Sequence, residues 1–220
     1  MGSIAPAAVL GFLVGLRHAM DADHVAAVGA IVARERSVRG AAVVGAAWGL
    51  GHTASLLVLG GAIVAFGLVV PRNVGLALEM GVGVMLLALG AWNFLSRDRH
   101  SHSHAPTALL SGDRRSHRRA LRPLLVGSVH GLAGSAAAAL LVVAAAGSAS
   151  WGFAYLLVFG AGTMVGMVVL TTALAVPMGR ALARFQRAET WVRVASGALS
   201  LVVGALVVYQ IGFRDGLFFQ

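Results

Sequence analysis

The chain has 220 residues, of which 58% are hydrophobic and 11% are charged, whereas a soluble domain usually carries about a quarter charged residues. Its formal charge of +9 comes from arginines that lie mainly between long apolar runs, which is typical of a membrane protein and not of a nucleic-acid-binding one. Cysteine is absent, which excludes disulfides, thiolate metal sites and c-type haem attachment.

Six apolar segments follow along the chain, and each is long enough to cross a bilayer, for which about 20 residues suffice. The first, second and fifth are longer, which predicts tilt, a break in the helix or extension beyond the bilayer. The first has no basic region before it, so we interpret it as a span and not as a signal peptide. The sequence therefore predicts an all-α, polytopic transmembrane helix bundle. The predicted spans are Ile4 to Val32, Gly40 to Val70, Val74 to Leu95, Pro123 to Ala146, Trp151 to Met178 and Trp191 to Gly212.

The arginines predict the orientation of the spans. The connections after the first, third and fifth spans hold nearly all of them, whereas the opposite side has only Arg72 and Arg214. Because basic residues accumulate on the cytoplasmic side, both termini are predicted to lie outside the cytoplasm, in a multi-pass protein of the inner membrane. The connection at 96–122 is predicted to be a cytoplasmic loop whose histidines either bind metal or belong to a solvated linker. These histidines are His100, His102, His104 and His117.

The two halves of the chain contain similar blocks. Gly15–Ala19 aligns with Gly127–Gly131 at an offset of 112 residues, and Trp48–Thr53 aligns with Phe159–Met164 at 111. The alternative is that glycine-rich helices resemble one another by chance. If the repeat is real, each half holds an odd number of spans, so the halves are inverted in the membrane, as in many secondary transporters with a midplane substrate site. The predicted units are a first three-helix repeat at 1–95, a loop at 96–122 and a second repeat at 123–220.

The first span contains an unusual cluster of ionisable residues, Arg17 to His24. Charges at membrane depth are costly and indicate function or pairing. On a continuous helix His18, Asp21 and His24 share a sector of about 120°, with Asp23 on the opposite side, and imidazoles with a carboxylate suit a divalent transition metal. If the helix unwinds, Asp23 and backbone carbonyls can join the site. The alternative is a proton relay or a buried ion-pair cluster, with Arg17 neutralising Asp21.

Two further histidines lie in apolar helices. His52 is flanked by Gly51, which allows close helix approach, so it can face the first-span cluster. Alone it is more typical of a core residue bonded to a carbonyl, but beside the cluster we interpret it as a ligand. His130 occupies the repeat position of His18 without the accompanying carboxylates, and is either a ligand or part of a packing helix. Glu79 lies about a turn and a half from the outer end of the third span, and is expected to reach the membrane surface rather than to couple protons.

These motifs resemble those of a known family. Arg17–His24 resembles the H-x4-D-H signature of the nickel/cobalt transporter family, with His18, Asp23 and His24 at its fixed positions, and Gly51–Thr53 resembles that family's second-helix motif. The six-span form, the histidine-containing loop and the segment Val129–Ser135 resemble its short urease-accessory branch. The resemblance covers most of the chain, although no span precedes the signature helix and the second half lacks an acidic motif. It implies nickel or cobalt as the substrate and implies binding by His18, Asp23, His24 and His52, with Asp21 nearby.

The expected function is secondary-active uptake of Ni²⁺ or Co²⁺ by alternating access, with the ion as transported substrate, no prosthetic group and no enzymatic activity. Coupling to protons is a hypothesis, because protonated imidazole and carboxylate bind metal poorly. The alternatives are efflux on the same scaffold, a membrane accessory protein that delivers nickel to a metalloenzyme, and export of small anions through Arg17. The expected partners are the lipid bilayer and the metal ion, with a second copy of the chain and nickel-enzyme maturation proteins as further candidates, and no nucleic acid.

Overall fold

The structure, a computed structural model, describes residues 4–33, 35, 37–95, 120–134, 148–184 and 188–219, and this part of the chain contains helices and no strand. The all-α prediction is therefore confirmed. The helices are α1 (Ile4–His18), α2 (Ala22–Val32), α3 (Val38–Phe66), α4 (Arg72–Leu95), α5 (residues 120–134), α6 (Ala149–Arg184) and α7 (Ala188–Tyr209), and a π-helical turn (Gln210–Arg214) and a 3-10 turn (Leu217–Phe219) follow.

Within the described residues, four helical stretches are long and apolar enough to cross a membrane: Val38–Phe66, Arg72–Leu95, Ala149–Ala181 and Thr190–Phe219. Two shorter apolar helices lie in the first predicted span. The chain is thus a polytopic helical membrane bundle. The second half of the predicted fourth span, 135–146, and the loop histidines lie outside the described residues.

The observed helix ends differ from the predicted ones for local reasons. α3 ends at Phe66 and not at Val70, because Gly67 adopts a left-handed φ of 60° and its N–H donates to the carbonyl of Ile63. This is a common glycine stop signal. α6 continues past the predicted Met178 to Arg184 with Pro177 inside the helix.

The bundle is organised around contacts between helices of different halves. α3 packs along α6, α1 packs along α6, and α4 packs along α7, while α2 lies against α7, α4 and α6. Asn93 of α4 donates a 2.9 Å hydrogen bond to the carbonyl of Ala30, so α2 runs towards the end of the bundle where α4 finishes. The first predicted span therefore crosses the bundle as two helices.

Small residues bring these helices into backbone contact, and the contacts occur in pairs related by the repeat. A Cβ added to Gly15 would collide with the carbonyl oxygen of Phe159, and a Cβ added to Gly127 would collide with that of Trp48. The offset of 112 residues relates Gly15 to Gly127, and the offset of 111 relates Trp48 to Phe159, so the two contacts are equivalent under the repeat. A chance resemblance between glycine-rich helices would not produce equivalent contacts. The same relation joins Gly162 against Phe12 to Gly51 against Leu124, and Gly49 against Met164 to Gly160 against Thr53.

The same contacts give the helix directions. Gly11 meets Tyr155 and Gly15 meets Phe159, so α1 and α6 are parallel; Gly45 meets Thr171 and Gly61 meets Phe153, so α3 and α6 are antiparallel. α3 and α5 run parallel, because Gly127 meets Trp48 and Gly131 meets His52. α1 and α5, the first helices of the two halves, are consequently antiparallel, as expected for inverted repeats. The limits of the units, at 95 and 123, stay a prediction.

Candidate metal site

The first span breaks inside its ionisable cluster. α1 ends at His18. Two hydrogen bonds of the tighter i to i−3 type follow: the N–H of Met20 donates to the carbonyl of Arg17, and that of Asp21 donates to the carbonyl of His18. The backbone of Asp21 is extended, and α2 begins at the next residue. Basic residues at the C-terminus of a helix and acidic residues at an N-terminus complement the helix dipoles, and Asp is a favoured N-cap residue. The run Arg-His-Ala-Met-Asp-Ala-Asp is therefore a local stop and start signal.

The break agrees with the unwound alternative for the first span and excludes the geometry expected on a continuous helix. His18 and His24 belong to different helices, yet their rings lie 4.7 Å apart. Asp23, expected on the opposite side, points into the cluster, while Asp21 is half-exposed at its edge. Asp21 pairs with His18, and not with Arg17 as the ion-pair alternative required.

Each of the two first-span imidazoles is held at one nitrogen by a neighbouring carboxylate. Nδ1 of His18 lies 3.0 Å from Oδ2 of Asp21, and Nδ1 of His24 lies 3.2 Å from Oδ1 of Asp23. Among the described residues, Nε2 of both rings is buried without a hydrogen-bond partner. Histidines that bind metal through one nitrogen commonly donate the other N–H to a carboxylate. This arrangement leaves both Nε2 atoms available to an ion.

His52 of α3 completes a group of three imidazoles. Its ring lies 5.3 Å from those of both His18 and His24, and it is fully buried with neither nitrogen bonded within the described part of the chain. One ligand atom from each of the three residues lies within 4.8 Å of the others. Buried polar atoms are nearly always hydrogen-bonded, so these unpaired nitrogens indicate a site for a ligand.

His130 of α5 joins the cluster from the second half. Its Nε2 lies 2.8 Å from Oδ2 of Asp23, and its ring lies 4.2 Å from that of His24. Asp23, His24 and His130 also offer ligand atoms within 4.8 Å of one another. The two groups share His24, and Asp23 connects the two halves of the chain through one carboxylate.

The two groups can hold a divalent ion with little movement. Metal–nitrogen bonds to histidine are about 2.0–2.1 Å long, so ligand atoms that share one ion lie at most about 4 Å apart. The ligand atoms of each group lie within 4.8 Å of one another, which is close to that limit. The ring centroid of Trp48 lies 6.5 Å from that of His24 and 5.8 Å from that of His130, and the centroid of Phe159 lies 5.4 Å from that of His18. Aromatic rings therefore pack beside the histidines.

The cluster lies deep in the bundle. His52 is 14 residues from each end of the 29-residue α3, which is about 21 Å at 1.5 Å per residue. A cavity of about 280 Å³ adjoins it. Polar and apolar residues of both halves line this cavity: His18, Asp23, His24, Glu79, Val82, His130, Ala133, Gly134, Val207, Gln210 and Ile211.

Two further polar residues line this cavity. Glu79, expected to reach the membrane surface, is exposed and also lines the same space as the histidines. Gln210, which the sequence did not single out, is exposed and lines it as well. Asp21, by contrast, does not line it and contacts only His18 within the cluster. The helical position of Glu79 could not reveal what faces it, because the facing residues belong to α7 and the turn that follows.

We expect Asp23→Asn to weaken Ni²⁺ binding about 10–100-fold, as loss of a carboxylate beside a metal-bound histidine usually does. Asp21→Asn is expected to have a smaller effect, because Asp21 contacts one imidazole and is half-exposed, so water can replace it. Isothermal titration calorimetry of the purified variants in detergent measures both affinities. Equal losses in the two variants would contradict this difference in role.

Comparison with known proteins places the chain in a family. Residues 7–206 match the family model described as Cytochrome C biogenesis protein transmembrane region. The chain is 34% identical over 213 residues to the urease accessory protein UreH of Bacillus sp. (strain TB-90), covering 95% of this chain and 93% of that protein. No solved structure was found to match. The chain has no cysteine and hence no thiol for haem attachment. It belongs to the family of the Cytochrome C biogenesis protein transmembrane region, as a homologue of UreH.

Proposed function

We propose that the chain is a membrane transporter that takes up Ni²⁺ or Co²⁺ by alternating access around the histidine cluster. The observation that carries this proposal is the convergence of unpaired ring nitrogens of His18, His24 and His52 deep within a membrane bundle. A purely structural cluster of this kind would leave several buried polar atoms unsatisfied, at a cost of about 1–3 kcal/mol each. A bound cation removes that cost.

The donor set supports a transition metal over Mg²⁺ or Ca²⁺, because imidazole suits nickel, cobalt, copper and zinc, whereas the two hard cations prefer oxygen. Three imidazole nitrogens leave further coordination positions for water, which suits transient binding better than a closed structural site. The resemblance of the motif at His18, Asp23 and His24 to the nickel/cobalt transporter signature supports nickel or cobalt among these metals. The name of the homologue, a urease accessory protein, supports nickel, since urease is a nickel enzyme.

The paired contacts between the halves support alternating access. α1 packs along α6, and the repeat-related pair, α5 and α3, packs in the same way. Helices of both halves therefore meet at the cluster, as expected where one repeat rocks against the other around a fixed site. The ion would exchange its water for imidazole nitrogens in the cavity and leave towards the opposite side. Asp23 is hydrogen-bonded to His24 in the first half and to His130 in the second, so movement of one half against the other would change these two hydrogen bonds.

The orientation in this proposal follows from the arginines, with the termini outside and the loop at 96–122 inside. Because the natural chain has no cysteine, single cysteines test it cleanly. We expect Asn73→Cys to react with a membrane-impermeant maleimide added to intact cells, and Ser101→Cys to react only after the membrane is opened. The reverse pattern would contradict this orientation and place the termini in the cytoplasm.

The direct test is uptake of radioactive Ni²⁺ into proteoliposomes, measured against empty vesicles and against Mg²⁺ as competing ion. We expect saturable uptake that excess Co²⁺ inhibits and excess Mg²⁺ does not. The second candidate, a membrane accessory protein that hands nickel to urease, is favoured by the name of the homologue. It predicts Ni²⁺ binding to the purified protein without flux, so a binding assay on the same preparation separates the two functions.

A further inference from the structure

We propose that Glu79 and Gln210 form an entry position where a hydrated divalent cation pauses before it reaches the histidine cluster. This inference rests on the proposed function, because it concerns the route of the ion to that cluster. It assigns a role to residues of the third helices of the two halves, α4 and the turn after α7, which carry none of the family signature.

One cavity connects these two residues to the histidine cluster. Glu79 and Gln210 line the same cavity as His18 and His24. Nε2 of His24, a fully buried residue, and Nε2 of His18 are both buried without a partner among the described residues. The remaining lining from α4 and from α7 with its following turn is apolar, consisting of Val82, Val207 and Ile211. An ion that enters between these helices therefore meets one carboxylate and one amide before the imidazoles.

The charge of Glu79 also favours a cation at this position. Glu79 lies seven residues from the start of α4, a helix long and apolar enough to cross a membrane, and is exposed; an ionisable residue in such a helix usually faces a water-filled path. It forms no ion pair with another described residue, and the carboxylate of Asp215 repels its negative charge. Arg72 donates a 2.7 Å hydrogen bond to the backbone carbonyl of Asp215 and not to Glu79. Two negative groups that repel each other attract a divalent cation strongly, since each interaction with the cation involves twice the unit charge.

The backbone changes conformation at Gln210. α7 passes at this residue from an α-helix to a π-helical turn, Gln210–Arg214, which the N–H of Asp215 closes on the carbonyl of Gln210. Such turns are rare and frequently occur at functional sites. Gln210 lines the cavity together with Glu79 of α4, and a side-chain amide oxygen can accept hydrogen bonds from the water shell of an ion.

Together these residues raise the local concentration of cations without holding them tightly. A carboxylate and an amide bind a hydrated ion mainly through its water, whereas the imidazoles bind it directly. Loss of Glu79 should therefore slow the arrival of the ion and leave the final affinity nearly unchanged. Electrostatic focusing of this kind raises association rates by about 10–10³-fold.

The test measures the rate at which Ni²⁺ quenches tryptophan fluorescence after rapid mixing with the purified protein; Trp48, 6.5 Å from His24, is the expected reporter. We expect Glu79→Gln to lower the association rate constant about 10-fold and to change the equilibrium affinity less than about 2-fold. Asp215→Asn is the matched control, because it removes the neighbouring carboxylate, which does not line the cavity, and it should lower the rate less. Glu79→Asp should restore most of the rate.

The outcomes separate the two proposals. Equal association rates for the wild type and Glu79→Gln would overturn the entry position, even if the protein transports nickel. An equal loss in Asp215→Asn would assign the effect to general surface charge and would also overturn it. Slower association in Glu79→Gln alone, in a protein that binds nickel without flux, would support the entry position and contradict the transport function.

Discussion

His24→Ala is expected to abolish Ni²⁺ uptake and to weaken Ni²⁺ binding more than about 100-fold, beyond the usual loss from removing a residue that only supports a ligand. The reason is that His24 belongs to both groups of candidate ligands. His18→Ala, His52→Ala and His130→Ala each leave one of the groups intact, so we expect them to weaken binding less. Calorimetry in detergent and uptake into proteoliposomes measure the two effects on the same preparations.

The control must remove a buried polar side chain elsewhere in the bundle. Ser200→Ala does this, because Ser200 of α7 is fully buried and donates a 2.8 Å hydrogen bond to the carbonyl of Leu86, away from the cavity lining. We expect Ser200→Ala to bind and transport nickel as the wild type does. A His24→Ala protein that elutes as a normal monodisperse peak and still transports nickel would exclude His24 as a ligand.

The second large effect is on folding. Gly51→Ala and Gly127→Ala each place a methyl group against a backbone carbonyl of the neighbouring helix, that of Leu124 and that of Trp48 respectively. Backbone atoms cannot rotate away, so the helices must separate. We expect each variant to lose about 1–3 kcal/mol of unfolding free energy or more, as overpacked cores do.

The matched controls are Gly75→Ala and Gly81→Ala on α4, where an added Cβ meets nothing within 4 Å. They should be neutral or slightly stabilising, because Ala is a better helix former than Gly by about 1 kcal/mol. Thermal unfolding in detergent, followed by the loss of the monodisperse peak, ranks the four variants. If Gly51→Ala were as stable as Gly81→Ala, α3 and α5 would not lie in backbone contact.

Gly51→Ala is also expected to impair nickel binding, because the contact it disturbs sets the distance between the halves at the site. Gly131 packs against the backbone of His52. Gly51 directly precedes His52 in the chain, and Gly131 directly follows His130. Separation of α3 and α5 therefore moves His52 and His130 apart. Binding measured below the unfolding temperature distinguishes this effect from loss of folded protein.

Several features of the protein were determined by the sequence alone. The apolar segments predicted the helices because hydropathy is a local property, and the observed α4, Arg72–Leu95, begins two residues before the predicted start at Val74. The internal repeat predicted the opposite directions of α1 and α5, because a repeat is found by comparing residue types in sequence order and needs no knowledge of packing. The ionisable run and the isolated histidines predicted the candidate metal ligands, since polar groups in an apolar helix are costly unless they are paired or functional. Their binding of a metal stays a prediction.

The break in the first span was one of the outcomes that the sequence left open. The length of the segment predicted tilt, a break or extension beyond the bilayer, and unwinding was the condition under which Asp23 could join the site. Arg17 and His18 followed by Asp21 and Asp23 form a helix stop and a helix start. The break turns Asp23 towards His24 and brings His18 back to the same cluster. Capping preferences, applied inside the segment, would have predicted it.

Only the tertiary structure decided how the residues combine. Asp23 and His130 are 107 positions apart, and no periodicity along the chain relates them. The backbone contacts of Gly15 and Gly127 bring the halves close enough for that hydrogen bond, and the packing of α4 along α7 places Glu79 and Gln210 on the same cavity. Hydropathy and helical periodicity indicate which segments form helices and which of their faces are apolar. Which side chains share a site depends on helix packing between distant segments, because only packing fixes the distances between them.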